Sequence, residues 1–391
     1  MASRKQAPAP PPPPPPPPAP RQQLGKQPAV PKEPQYPIGS FGIGVETQFL
    51  LASRDPKENK ATTIREFSRM VASMYNSYLA SSAPKQHPGM HNAIDELYLG
   101  PRFAEWSLDS DSTIDIPDKN QAPWALESIS PIFRAHSNSP WRSHIRFMWS
   151  FLSAKFNVTA NSSCGTHVHL SLAGGYSLEG LKKVCQSIIH FEPAFEALLP
   201  QDRLSNEYAR SNWLDNANFA HRNLSRRQSI ALIGQASNMR DLVLLMNPNH
   251  DKMFGWNFLY LLNTPHGTIE FRRGAASTSV DDVFMWIEVA ISFVHAALEL
   301  GDPSTLEKIQ PTVGGLLSFI KATNIFNNVP GMGDQRYLDL FFQGKSRSLL
   351  REPKPLGQLS PAKAAKLKKK RDEDEQKNVA MTKMMHEPFW G

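Results

Sequence analysis

Two short apolar stretches, CGTHVHL at 164–170 and GTIEFRR at 267–273, each carry polar side chains two positions apart. In an extended strand residues i and i+2 emerge on the same face, so His167 stands with His169, and Glu270 with Arg272. Charged and imidazole groups are disfavoured in mid-strand, and a chain that places them there gives one face of its sheet to something other than a core. FGIGVETQFLL at 41–51 obeys the same rule, with Gly44, Glu46 and Gln48 on one side and Val45, Thr47 and Phe49 on the other. PWALESISPIF at 123–133 adds a strand containing Glu127, and FAEWSLDSDSTID at 103–115 a strand that ends in a polar turn.

Helical spacing separates these strands. Ile64, Phe67, Met70, Val71, Met74 and Tyr78 form one stripe, opened by a Thr63/Glu66 capping box. Residues 141–157 and 177–199 carry the same period, and a long helix runs from its cap at Ser279 through Val280, Val283, Ile287, Ile291, Val294 and Leu298 to Gly301 and Pro303. FGWNFLYLL at 254–262 and TIEFRR at 268–273 predict two strands joined by NTPHG, with Gly267 closing the turn. The polar span 200–250, with NEYARSNW and HRNLSRR, reads as a functional insert. Strands outnumber what a βαβ repeat would supply. The expected fold is α+β: an antiparallel sheet with helices packed on one face and polar side chains on the other, flanked by disordered tails.

Fifteen of the 34 prolines fall in the first 37 residues, a composition that favours polyproline helix and builds no core. Residues 1–37 are therefore expected to be a disordered proline-rich arm, 38–345 the folded domain, and 346–391 a charged, mostly disordered tail. The formal charge of +7 divides unevenly: +4 in the arm and +5 in the tail leave the middle at about −2. A basic nucleic-acid-binding core is not expected on that ground, while KLKKKR at 366–371 is readable as a nuclear import signal on an otherwise cytoplasmic protein. Two cysteines supply no disulfide framework, and no apolar run approaches a membrane span. The arm is expected to meet a proline-recognising protein module or to act as a spacer.

Familiar site patterns are missing. GYSLEGLK at 175–182 displaces the lysine of a phosphate loop, DSDSTIDI at 109–116 lacks the glycine and final glutamate of a calcium loop, and Cys164 faces away from His167. Carboxylates and imidazoles gathered on one face bind divalent cations, and a neighbouring arginine grips phosphate oxygens, a combination suited to a metal–triphosphate ligand.

The ordered set FGIGVETQF, WSLDSDSTI, LESISPIF, SSCGTHVHLSL, WNFLYLL and GTIEFRRGAAS resembles the amidoligase family, ATP-dependent carboxylate–amine ligases related to glutamine synthetase and glutamate–cysteine ligase. The resemblance covers roughly residues 40–300. It implies a glutamine synthetase-like antiparallel sheet whose polar face holds ATP and Mg2+ or Mn2+, with amide formation through an acyl phosphate. Under it Glu46, Glu127, His167 and Glu270 correspond to metal ligands, Arg272 to a phosphate contact, His169 to a metal or phosphate contact, these two with Glu270 to the catalytic set, and Gln48 to a cofactor contact. The family's first strand often reads E-x-E, and Gln48 replaces the second glutamate. Asp109, Asp111, Arg210 and Asn257 are candidate contacts to the carboxylate and amine substrates, small molecules or peptides. Two other functions fit the same residues: a catalytically weakened adaptor that keeps the scaffold, and a metal hydrolase using no nucleotide.

Overall fold

The alternation at 41–51 extends two residues further to make β1 (Phe41–Ser53), around which the sheet is organised. Phe41, Ile43, Val45, Thr47, Phe49 and Leu51 are all buried on its inner face. In this computed structural model residues 36–386 are described, except 38, 56, 59, 102, 117, 205, 264–266 and 324–331. The proline-rich arm, apart from its last residues, lies outside the described residues.

The other strands are β2 (Met90–Asn92), β3 (Trp106–Asp109), β4 (Trp124–Ile129), β5 (Phe133–Ala135), β6 (Phe156–Thr159), β7 (Gly165–Leu172), β8 (Trp256–Asn257) and β9 (Ile269–Ala275). They run in the order β2-β3-β4-β1-β7-β9-β8, with β5 and β6 pairing the two ends of β1. Every pair is antiparallel but β2 with β3. This is the expected α+β class. Pairing β7 with β9 needs a close approach at Gly274, where a Cβ would lie 2.2 Å from the Thr166 carbonyl oxygen. Any side chain there would force the two site-bearing strands apart.

Helices Ile64–Ser82, Trp141–Lys155, Leu178–Leu198 and Val280–Leu300 form where the periodicity predicts them. Ser279 closes a full capping box with Asp282, whereas Glu66 reaches past Thr63 to the Thr62 backbone N–H. Val280–Leu300 is long and apolar enough to cross a membrane, which the sequence reading missed; it is the central helix of the core, with Val283, Ile287, Ile291 and Val294 fully buried. No other helix among the described residues passes that test. The run WNFLYLL departs from expectation as well. It gives a two-residue strand and then the single-turn helix Tyr260–Asn263, because a short unbroken apolar run has no period to separate strand from helix.

Burial pushes the carboxyls of Glu192 and Glu288 up to about 7, despite their arginine partners Arg273 and Arg142. An unfolded glutamate loses its proton near 4.3. Between these values the folded state holds more protons than the unfolded one, so stability is full below the unfolded pKa and falls as pH rises to about 7. Urea unfolding should show a loss of on the order of 2–3 kcal/mol per group across that window, and Glu288→Gln should flatten its share of the slope.

Candidate active site

The register of β1 against β7 sets Glu46 directly opposite His167 and Gly44 opposite His169; β7 against β9 sets His169 opposite Glu270; β8 against β9 sets Asn257 opposite Glu270. Four strands thus bring distant residues onto one face. Glu46 bridges the two histidines, Oε2 lying 3.1 Å from His167 Nδ1 and Oε1 3.1 Å from His169 Nε2. Glu270 Oε1 stands 3.7 Å from the same two ring nitrogens. Glu270 is only 1% exposed, and the Arg272 guanidinium and the Asn257 amide both donate to it. Arg272 Nε donates in turn to the Tyr208 carbonyl, so the polar 200–250 span supplies backbone to the site.

The charges divide along this row. Burial pushes the Glu46 carboxyl up, but the His169 charge and hydrogen bonds from both rings outweigh it and hold Glu46 well below the usual carboxylate range. Glu270 behaves likewise: burial opposes ionisation, and Arg272 with His169 brings it down to about 2. Burial and Arg272 lower His167; burial also disfavours charge on His169, yet Glu46 and Glu270 together raise it. The arrangement is two carboxylates flanking an imidazole whose charged form they favour.

Such a set fits a divalent cation. Among the described residues, ligand atoms of Glu46, His167 and Glu270 lie within 4.8 Å of one another. The 3.1 Å between His167 Nδ1 and Glu46 Oε2 matches the edge, about 3 Å, of an octahedron with metal–oxygen bonds of ~2.1 Å.

Glu127 occupies a second, acidic corner, across Gln48. The Gln48 amide donates to Asp111 Oδ2 at 2.9 Å and Glu127 Oε1 at 3.3 Å, while its own oxygen accepts from the Gly165 N–H at 2.9 Å. Gln48 thus joins two carboxylates and ties them to β7. Burial, then the charges of Glu46 and Asp111, push the Glu127 carboxyl well above its usual range. Burial acts the same way on Asp111, but Lys370 brings it down to about 2. Asp109 lies opposite Glu127 in the β3–β4 register. Arg210 stands apart from these, paired with Asp251 and stacked over the Phe254 ring at 4.5 Å.

Lys370 carries no site role in the sequence, where it is one residue of the KLKKKR run. The span expected to be a solvated tail contains a helix, Pro361–His386, which lies against the acidic corner. Its basic run finds carboxylate partners on the fold, and that pairing, invisible within the run itself, is the physical reason for the difference.

A model of the family described as "putative amidoligase enzyme" matches residues 40–294, a span that runs from the start of β1 into the central helix and holds every site residue named above but Lys370. No curated protein matches the chain.

Proposed function

The chain belongs to the amidoligase family, and from that premise we propose that it is an ATP- and magnesium-dependent carboxylate–amine ligase working through an acyl phosphate. The observation that carries the reading is the convergence of Glu46, His167, His169, Glu270 and Arg272 from three adjacent strands onto one face. A carboxylate resists attack by an amine because its oxygen is too poor a leaving group. Transfer of the γ-phosphoryl group of ATP to that oxygen releases ADP; the amine then attacks the acyl carbon, inorganic phosphate departs with the electrons of the C–O bond, and the amine loses a proton.

Glu46, His167 and Glu270 would hold the cation, whose charge neutralises the triphosphate during transfer. Arg272, fixed by Glu270 and the Tyr208 carbonyl, would present its guanidinium to phosphate oxygens. His169, whose charged form Glu46 and Glu270 favour, would donate to the same oxygens. Asn257 holds Glu270 in place for both.

Titration calorimetry with magnesium–ATP should show binding to the full chain, and ADP release screened across carboxylates and amines should then identify the pair it joins. No heat at millimolar nucleotide overturns the reading. One observation favours a second: an imidazole beside two carboxylates is also a zinc donor set, as a nucleotide-independent hydrolase would use. His167→Ala separates the two, since the hydrolase predicts bound zinc that is lost in the variant and no ADP from either protein.

A further inference from the structure

The helix Pro361–His386 presents Lys363, Lys366, Leu367, Lys370 and Arg371 at i, i+3, i+4, i+7 and i+8, which is one continuous face. Leu367 on that face is 4% exposed, so the face is docked. Lys363 Nζ lies 3.2 Å from Glu207, Lys366 pairs with Asp115 and donates to the Thr113 carbonyl at 2.8 Å, and Arg371 pairs with Asp251. Ser112 donates back to Glu373 at 2.7 Å. At the centre the Lys370 ammonium sits 3.1 Å from Asp111 Oδ2, the oxygen that also accepts from Gln48. Its side chain is 13% exposed and that of Asp111 5%.

A cation on a four-carbon stem therefore already fills the acidic corner, delivered from more than 250 residues away in sequence. We propose that the Asp111–Gln48–Glu127 corner is the amine subsite, that it takes a primary alkylammonium such as a lysine side chain or a terminal diamine, and that Lys370 occupies it in the resting chain as an intramolecular competitor. This rests on the ligase reading, which needs an amine to arrive beside the phosphoryl-transfer site. The corner lies two residues along β1 and β7 from that site, on the same face: Glu46 faces His167, and Gln48 bonds Gly165. Three features suit an ammonium better than a metal there. The Gln48 oxygen is spent on a backbone N–H, its amide hydrogens point at both carboxylates, and an ammonium is what Asp111 binds.

The probe is 1,5-diaminopentane, titrated by calorimetry into metal- and nucleotide-free full-length protein. Wild type should bind it weakly and Lys370→Ala about tenfold or more tightly, the expected gain if the docked form holds some nine-tenths of the chains. Asp111→Asn should remove binding in both backgrounds. Hydrogen exchange on unmodified protein gives a second reading: amides of the 361–373 segment should lose protection as the diamine saturates. Equal affinity in wild type and Lys370→Ala, binding indifferent to Asp111→Asn, or unchanged helix protection at saturating diamine each overturns the proposal. Because no nucleotide is present, a failed magnesium–ATP titration would sink the ligase reading while leaving diamine binding to be seen or not by itself.

Discussion

Glu270→Gln is expected to cost the metal-free protein about 3–5 kcal/mol and to end nucleotide-dependent turnover, the largest effect any single isosteric change should have here. Glutamine keeps the shape and one oxygen for Asn257, but Arg272 loses its ionic partner where its side chain is only 7% exposed. A buried guanidinium without a counter-charge is the costly half of a broken ion pair. His169 loses one of the two carboxylates that raise its pKa, and the proposed cation site loses one of its three candidate ligands. Urea unfolding in chelator and an ADP assay measure the two consequences separately. Glu179→Gln supplies the contrast: Glu179 pairs with Lys182 one helical turn away and is 77% exposed, so its loss should stay within ~0.5 kcal/mol. A Glu270→Gln protein as stable as the Glu179→Gln one would remove Glu270 from the centre of the site.

What could be read from residues alone follows from period. β1 was legible because Val45, Thr47 and Phe49 alternate with Gly44, Glu46 and Gln48, and one face had to be core. The pairing of Glu46 with both histidines follows once β1 and β7 are neighbours, and a two-residue period makes any other face impossible. Contacts that depend on long separations were not legible. KLKKKR followed by DEDE looks self-compensating and solvated, and nothing within it names Asp111 or Asp115 as partners. Tyr208 contributes only its backbone carbonyl to Arg272, which no side-chain pattern advertises. Gln48 was legible as a departure from an acidic pattern, but its three hydrogen bonds, to Asp111, Glu127 and Gly165, required the sheet register to be known.

Those three bonds make Gln48→Glu the second large perturbation, one whose sign depends on metal. In chelator the new carboxylate keeps one oxygen for the Gly165 N–H, but the other faces Asp111 and Glu127 where amide hydrogens used to be. Two donated hydrogen bonds become contacts between acidic groups in a buried corner where Glu127 already resists ionisation and the Lys370 ammonium offsets only part of the added charge, and a loss of about 2–4 kcal/mol is expected. Three carboxylates around one point are also an all-oxygen cage for a hard cation. Millimolar Mn2+ should therefore return most of the lost stability to Gln48→Glu, a larger gain than is expected of the wild type from the proposed Glu46, His167 and Glu270 site alone. Gln48→Ala distinguishes charge from missing bonds: it removes the same donors without adding an oxygen, so it should lose about 1–2 kcal/mol and gain no extra response to metal. Urea midpoints for the three proteins, with and without Mn2+, test the pattern. A Gln48→Glu protein that is undisturbed in chelator, or one that metal does not rescue beyond the Gln48→Ala level, would mean that Gln48 does not bridge those carboxylates and that the acidic corner is not the tightly coupled unit described above.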